Sequence, residues 1–343
     1  MVAINMRIYT KKTLNEYHQS LTYDDISLIP VDVSEIRSRA QAKTSCNFLG
    51  FNLLLPVVSS PMETVTGLAM ARELTKLGCI GVLNRFDSSI KEIIKDEKNG
   101  DDIRAVSIAL NTSLNEIEKL AERKYILCID TANANNRQVL NKCEEIKKKF
   151  NSKVIVGNIA HGGSLKQLED SGADAVRVGI GGGSVCTTSI QTGIGIGQVS
   201  SLLNIYYSKK EQKLQIRVIA DGGIKSPGDI AKAIALGADA VMLGRMLAGT
   251  KETPGEVIKY NGQLWKKYRG SASFGVKMRN EFIEGEETMV GFKGAVKNVI
   301  DSISDGLRSS MSYMNCFTLE DLKRTDSFAV LSNSSYLERL PRM

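Results

Sequence analysis

Histidine, paired cysteines and long apolar runs are scarce in this sequence, and each shortage excludes a class of protein. The 343 residues contain two histidines, and the six cysteines form no Cys-x-x-Cys pair. A zinc site and a disulfide scaffold are therefore not expected. No apolar run reaches the roughly 18 residues of a transmembrane helix, and the first twelve residues lack the apolar core of a secretory signal. We expect a reduced, cytoplasmic protein without membrane contact.

The charge is positive but spread along the chain. The net charge is +7, and the lysine runs are short, as at residues 147–149, 209–210 and 266–267. Such runs are typical of solvated helix faces, so we expect no nucleic-acid partner. A basic surface is compatible with a small phosphorylated substrate. Hydrophobic residues make up 42% and charged residues 24%, which are ordinary values for a globular domain.

Short apolar, β-branched runs alternate with helical patterns along most of the chain. Eight runs predict buried strands, because strands covered on both faces are apolar throughout. Helices are predicted between them, at 115–123, 137–150, 164–171 and 227–236 among others. This alternation predicts a single-domain (β/α)8 barrel. The predicted strands are residues 53–59, 80–84, 105–110, 126–130, 154–158, 175–180, 217–221 and 240–244.

The segments outside the barrel are assigned by exclusion. Residues 1–52 are predicted to be an N-terminal cap and residues 53–249 the barrel core. Residues 250–343 are predicted to hold an excursion over the barrel mouth at about 250–292, a final helix at 297–314 and a tail, peripheral from residue 327. An internal echo, GADAVRVG at 172–179 and GADAVMLG at 237–244, supports a repeated unit.

Polar residues and glycines concentrate directly after the predicted strands. In a barrel of this type, catalysis takes place at the carboxyl ends of the strands. The residues that follow the strands therefore predict the site without any knowledge of the family. They include Ser60, Met62, Arg85, Asp130, Asn133, Asn158, the glycine-rich run 181–183, Cys186, the run 221–223, Gly244 and Arg245.

Cys186 is the candidate nucleophile. The glycines before it allow positive φ and expose backbone N–H groups, which bind phosphate or lower the pKa of a thiol. An arbitrary cysteine is more often an inert core residue, and Cys79 and Cys128 keep that interpretation because they lie in or beside strands. Asp221 ends an apolar strand, where its carboxylate either accepts bonds from a ribose diol or caps the next helix.

Four segments closely resemble the IMP dehydrogenase and GMP reductase family. The resemblance extends over nearly the whole chain and implies a (β/α)8 barrel that usually forms homotetramers. The segments are YDDISLIP at 23–30, SSPMETVTG at 59–67, GIGGGSVCTTSIQTGIGIGQ at 179–198 and ADGGIKSPGDIAKAIALGADAVMLGRMLAGTKETPGE at 220–256.

The resemblance also implies a role for each matching residue. It implies Cys186 as the nucleophile, with Thr188 and Glu284 handling protons. Purine nucleotide monophosphate would be bound by Ser60, Met62, Asn158, Ser184, Asp221, Gly222, Gly223, Gly244, Tyr268, Gly270 and Ser271. Arg245 does not match the family pattern, but its charge makes it a further candidate beside the phosphate. The nicotinamide cofactor would be bound by Asp130, Thr131, Asn133, Gly179 and Gly181. A monovalent cation, K⁺, would be bound by carbonyl groups of Gly181, Gly183 and Cys186.

The reductase branch is favoured over the dehydrogenase branch. The chain has no room for the CBS modules that dehydrogenases usually insert. It also has no tyrosine in residues 274–283, where dehydrogenases carry an Arg-Tyr pair on a mobile flap that activates water. The segments LNRF at 83–86, IDTAN at 129–133 and YRGSAS at 268–273 resemble the reductases. The resemblance thus implies NADPH-dependent reductive deamination of GMP to IMP and ammonia.

Two alternatives stay open at this stage. A compact IMP dehydrogenase without the insert would oxidise IMP to XMP with NAD. A purine-nucleotide-binding protein that has lost catalysis would explain three departures from the family pattern: Ser189, where a basic residue is usual, Arg245, where a small residue is common, and Glu281, where the reductases of one subgroup contact the base.

Overall fold

Eight parallel strands close into a barrel in the computed structural model, which describes residues 8–87, 89–95, 103–270 and 287–339. The strands follow one another around the barrel in chain order, and β11 pairs with β4 to close it. This confirms the predicted (β/α)8 barrel. The barrel strands are β4 (Val57–Ser59), β5 (Ile80–Leu83), β6 (Ala105–Ile108), β7 (Ile126–Asp130), β8 (Val154–Ile159), β9 (Ala175–Val178), β10 (Arg217–Asp221) and β11 (Ala240–Leu243).

Amphipathic helices cover the outside of the barrel, and several begin at residues that cap them. Ser113 and Ser226 each accept a bond from the backbone three residues on, which satisfies an otherwise unpaired N–H. The described helices are α1 (Lys11–Asn15), α2 (Leu68–Lys76), α3 (Ser89–Lys95), α4 (Leu114–Glu122), α5 (Arg137–Phe150), α6 (Leu165–Asp170), α7 (Thr188–Thr192), α8 (Gln198–Glu211), α9 (Pro227–Ala235), α10 (Val296–Tyr313), α11 (Leu319–Arg324) and α12 (Asn333–Glu338). None of these described helices is long and apolar enough to cross a membrane.

The first predicted strand, 53–59, is two strands in the structure. Leu53 ends β3 (Phe51–Leu53), which forms a hairpin with β2 (Cys46–Phe48), and the barrel strand begins only at Val57. Pro56 lies between them and has no N–H to donate to a sheet, so a continuous strand is interrupted there. Phe48 and Leu53 pack against inward-facing residues of the barrel strands, so the hairpin belongs to the barrel core.

The two similar segments, residues 172–179 and 237–244, occupy equivalent positions in the barrel. Gly172 and Gly237 both have positive φ, which ends the preceding helix before β9 or β11 begins. Asp174 then accepts a bond from the backbone N–H of Val154, and Asp239 accepts one from Val218, at distances of 2.9 and 2.8 Å. Each aspartate ties its own strand to the start of the preceding one, and lysine side chains pair with both.

The excursion over the mouth contains regular structure that the sequence did not reveal. Its described part forms a three-stranded antiparallel sheet of β12 (Ile258–Tyr260), β13 (Gln263–Arg269) and β14 (Glu287–Gly291). Lys266 points inward and donates to the carbonyls of Thr250 and Thr253, so a charged residue occupies a buried strand position. A charged, fully hydrogen-bonded side chain thus stands where a strand normally has an apolar one, and this hides the alternation of polar and apolar residues expected of a strand.

The tail is more than peripheral. Strand β15 (Phe328–Val330) pairs antiparallel with β1 (Ile26–Leu28), and the Phe328 side chain is fully buried. The two strands are three residues long and more than 300 positions apart in the chain, so neither is recognisable without the other. The pairing fixes the N-terminal cap and the C-terminal segment to each other on the outside of the barrel.

Candidate active site

A cavity of about 360 Å³ opens at the carboxyl ends of the barrel strands. Most of the residues predicted from the sequence line it, although they come from distant parts of the chain. The predicted residues in its wall are Ser60, Met62, Asp130, Thr131, Asn158, Gly179, Gly181, Gly183, Cys186, Thr188, Asp221, Gly222, Tyr268 and Gly270. The structure therefore brings the cysteine loop, the strand-end carboxylates and the mouth sheet together around one space.

The predicted nucleophile lies beside a hydroxyl group. The Cys186 Sγ is 3.2 Å from the Thr188 Oγ1, and both side chains are half-buried at the cavity wall. The backbone N–H of Cys186 donates to the Gly183 carbonyl at 3.0 Å, which holds the loop in a tight turn. A thiol and a hydroxyl at this distance can exchange a proton with each other or with a bound molecule.

Close backbone packing requires a glycine at the start of the cysteine loop. Gly179 has a φ of +140°, and a Cβ atom there would lie 2.0 Å from the Asp221 carbonyl oxygen. The N–H of Gly179 donates to the Ile159 carbonyl, and its own carbonyl accepts from the Asn158 side chain. The loop can therefore leave β9 toward the cavity only with a residue that has no side chain at this position.

Asp221 is held in place through one of its two oxygens. Its Oδ2 accepts bonds from Asn158 Nδ2 at 2.8 Å and from Arg177 Nη2 and Nε at 2.9 and 3.1 Å. Among the described residues, no bond is made to the other oxygen, Oδ1. A carboxylate fixed on one side and free on the other can accept hydrogen bonds from vicinal hydroxyl groups of a ligand.

Arg177 is the central cation of the site, and sequence reasoning missed it. Its side chain is 8% exposed, and it bridges Asp221 to Asp130, whose Oδ1 accepts from Arg177 Nη1 at 2.6 Å. Burial lowers the pKa of its guanidinium, but the negative charges of Asp221 and Asp130 raise that pKa by more than burial lowers it. The pKa therefore lies well above its ordinary value. The signal was present in the sequence: a charge in the apolar run AVRV of a strand buried on both faces.

Tyr268 reaches the cavity from the mouth sheet. Its side chain is buried, and its Oη lies 3.3 Å from the Ser184 Oγ. Burial raises the pKa of the phenol, so it keeps its proton near neutral pH and can donate to an anion. Gly222, which is in the cavity wall, and its neighbour Gly223 have φ values of +102° and +75°, in the region that favours glycine. This end of the cavity suits a phosphate group.

Several predicted site residues do not line the main cavity. Arg245 lines a second cavity, of about 510 Å³, with Lys225 and Lys293. Gly223 lines a third, while Ser184 and Gly244 adjoin Tyr268 without lining the main cavity, and Asn133 is also absent from its wall. Glu284 and Ser271 lie outside the described residues. Arg85, which the strand-end pattern placed at the site but to which the resemblance gave no role, does line the cavity, and its Nε lies 3.7 Å from the Asp130 Oδ2.

The environments of the cysteines predict selective alkylation. Burial raises the pKa of the other five thiols, to about 11 for Cys46, Cys128 and Cys143, to about 12 for Cys79, and above its ordinary value for Cys316. A pKa of 11 leaves roughly one thiolate in a thousand at pH 8. We expect iodoacetamide at pH 7.5 to label half-exposed Cys186 first in the native protein, as peptide mass spectrometry can measure. Equal labelling of a second cysteine before unfolding would contradict this.

The chain is similar to known proteins over most of its length. A family model described as the IMP dehydrogenase / GMP reductase domain matches residues 20–342. A GMP reductase of Streptococcus gordonii is 36% identical over 328 residues, covering 94% of this chain and 98% of that protein. A GMP reductase of Bacillus subtilis is 34% identical, covering 92% and 97%. An inosine-5'-monophosphate dehydrogenase of Borreliella burgdorferi is 34% identical over 394 residues, covering 94% and 96%.

Proposed function

The chain belongs to the IMP dehydrogenase / GMP reductase family, and we propose that it catalyses the NADPH-dependent reductive deamination of GMP to IMP and ammonia. The family consists of oxidoreductases that act on purine nucleotide monophosphates with a nicotinamide cofactor. The observation that carries the proposal is the contact of 3.2 Å between Cys186 Sγ and Thr188 Oγ1 in the wall of a cavity shared with Asp221 and Tyr268.

The nucleotide would lie with its phosphate near Tyr268 and its ribose near Asp221. The neutral phenol of Tyr268 and the backbone N–H group of Gly222 donate to the phosphate oxygens. The free Oδ1 of Asp221 accepts from the ribose hydroxyls, while Asn158 and Arg177 hold its Oδ2. The purine then extends toward Cys186, which is in the wall of the same cavity as the ribose ligand Asp221.

The chemistry at Cys186 divides the reaction into two steps. The thiolate adds to C2 of the purine, and the exocyclic amine leaves as ammonia once it has taken up a proton. A thioimidate then joins Cys186 to C2. Thr188 is placed to relay that proton because its hydroxyl lies against the sulfur. Addition of a hydride at C2 releases the thiolate and gives IMP, so two protons are consumed overall and one ammonium ion is formed.

Asp130, Thr131 and Arg85, which line the same cavity as Cys186, suit the nicotinamide cofactor. When bound, that cofactor supplies the hydride. Asp130 ends β7 and Thr131 follows it in the cavity wall, and Arg177 Nη1 donates to Asp130 Oδ1 at 2.6 Å. The remaining oxygen of Asp130 can accept from a hydroxyl of the cofactor ribose. Arg85 adds a half-buried positive charge beside Asp130, which suits the cofactor's phosphates.

Two features favour the reductase over the dehydrogenase reaction. Residues 274–283 contain no tyrosine, so a thioimidate would lack the flap pair with which the dehydrogenases activate water. The alignments also differ in extent. Those with two dehydrogenases run over 394 and 379 positions, more than the 343 residues of this chain, and must contain gaps in it. Those with the reductases run over 320 to 328 positions for a similar share of the chain.

Absorbance at the nicotinamide band separates the candidate reactions. With GMP and NADPH, we expect a fall in absorbance that depends on GMP and is accompanied by IMP and ammonia. Formation of NADH and XMP from IMP and NAD would instead identify a compact dehydrogenase. Tight binding of GMP without turnover in either direction would indicate a nucleotide-binding protein, the interpretation that the departures at Ser189 and Arg245 leave open.

We also propose a monovalent-cation site at the cysteine loop and a homotetrameric assembly. The cation ligands would be carbonyls of Gly181, Gly183 and Cys186, of which the Gly183 carbonyl already accepts the Cys186 N–H and keeps one lone pair. We expect K⁺ to raise kcat severalfold over Li⁺ at constant ionic strength, since Li⁺ is too small for a loop of fixed carbonyls. Equal rates in the two salts would contradict the cation site.

Sedimentation velocity tests the proposed homotetrameric assembly.

A further inference from the structure

The nucleotide and cofactor sides of the cavity share one buried cation. Arg177 lies on β9 between β8 and β10, and its guanidinium bonds to carboxylates on both sides. Asp221 ends β10 and Asp130 ends β7, so the two acids belong to strands that do not touch each other. Arg177 is therefore the direct physical connection between them.

Neighbouring barrel strands enclose the Arg177 side chain. Its partner across β8 is Gly157, where a Cβ atom would be 2.4 Å from the Arg177 Cβ. Its Nη1 also lies 3.8 Å from the Cys128 Sγ, so the guanidinium is enclosed by β7, β8 and β10. With 8% of its side chain exposed, it donates from Nε and Nη2 to the single oxygen Asp221 Oδ2 and makes one short bond to Asp130. A guanidinium can do this because its donors point in several fixed directions, whereas an ammonium is a single point charge.

We propose that Arg177 is a positioning residue that couples nucleotide binding to cofactor binding. The inference rests on the proposed function, since it takes Asp221 as the ribose ligand and Asp130 as the cofactor ligand. A ligand that fixes Asp221 also fixes Arg177, and through it Asp130. Bonds from a ligand to Asp221 restrict the motion of this bridge further. The second ligand therefore meets a more rigid partner at Asp130, loses less conformational entropy on binding and binds more tightly. Thermodynamic reciprocity requires the same factor in either order of binding.

The test measures the Kd of NADPH, from its fluorescence, with and without saturating IMP. This pair does not react, because IMP already carries the hydrogen at C2 that GMP would gain. We expect IMP to tighten NADPH binding at least about fivefold in the wild-type protein. We expect Arg177→Gln to bring the ratio of the two Kd values to one. Arg177→Lys keeps the positive charge but not the several fixed donors of a guanidinium, and we expect it to give an intermediate ratio.

Arg217→Gln is the matched control. Arg217 begins the next barrel strand, pairs with Asp239 at 3.0 Å and lies outside the cavity. A merely structural role for Arg177 predicts that both glutamine variants lower the melting temperature and both keep the wild-type ratio. The coupling role predicts that only Arg177→Gln loses it. If that variant does not fold, Asp130→Asn provides the same test, since it keeps the Arg177–Asp221 pair and removes the other arm of the bridge.

Two results would overturn the proposal. One is a wild-type ratio of one, and the other is an unchanged ratio in a folded Arg177→Gln or Asp130→Asn protein. A failure of the proposed function is a different observation. In that case the wild-type protein would bind neither IMP nor GMP, and there would be no nucleotide binding for the cofactor site to be coupled to.

Discussion

Replacement of Cys186 by alanine is expected to lower kcat with GMP and NADPH by about four orders of magnitude or more. The side chain supplies the electron pair that attacks C2, and no other described cysteine lines the cavity. Loss of a covalent nucleophile removes both steps that depend on it. The Kd of GMP should change little, because the contacts assigned to ribose and phosphate come from Asp221 and Tyr268. Stopped-flow absorbance gives kcat, and calorimetry gives the Kd.

Cys143→Ala is the control for this substitution. Cys143 is buried on α5 and is not among the residues that line the cavity. It should therefore cost some stability, as a small cavity does, but keep wild-type kcat. A Cys186→Ala protein that retained more than about a hundredth of wild-type kcat would show that the reaction does not proceed through this thiol.

Thr188→Val is expected to lower kcat by roughly a hundredfold to ten-thousandfold. Valine keeps the shape of threonine but has no hydroxyl, so it removes the group that lies 3.2 Å from the sulfur. The loss should fall on departure of the amine, which must be protonated, rather than on hydride transfer. Thr75→Val, in which the lost hydroxyl bonds to the Ala71 carbonyl on α2, controls for the general effect of this exchange.

The two steps can be measured separately in the Thr188→Val protein. With IMP and NADP⁺ but no ammonia, the thiolate of Cys186 adds to C2, hydride passes to NADP⁺, and the reaction stops at the thioimidate. One equivalent of NADPH per active site should therefore appear at close to the wild-type rate. If the variant loses this burst together with turnover, Thr188 does not act in deamination specifically, and its role is in nucleophilic addition or in holding the loop.

The barrel was predictable because its strands are apolar throughout and separated by capped helices. Buried strands leave a strong pattern, and their carboxyl ends meet at one rim, so Asp221, Asn158 and Cys186 could be placed in one site before their contacts were known. The three-stranded mouth sheet was not predictable, because its side chains are mostly exposed or, like Lys266, buried through hydrogen bonds to carbonyls.

The connection of Arg177 to two carboxylates was also beyond the sequence. Its partners are 44 and 47 positions away, and the contacts depend on the register of four consecutive strands, β7 to β10. The direction of Arg245 is a similar case. Sequence placed it next to Gly244 at the phosphate end, but the chain turns after Gly244 and directs its side chain into another cavity, where the Lys293 ammonium donates to the Arg245 carbonyl.

Transfer of an isotope tests the central claim most directly. With NADPH carrying deuterium at both C4 positions of the nicotinamide, GMP should be converted to IMP one mass unit heavier, with the label at C2 and one ammonium ion released per NADPH consumed. This result requires that the hydride be delivered to the carbon from which the amine departs. Unlabelled IMP, or XMP as the product with no label incorporated, would contradict the account.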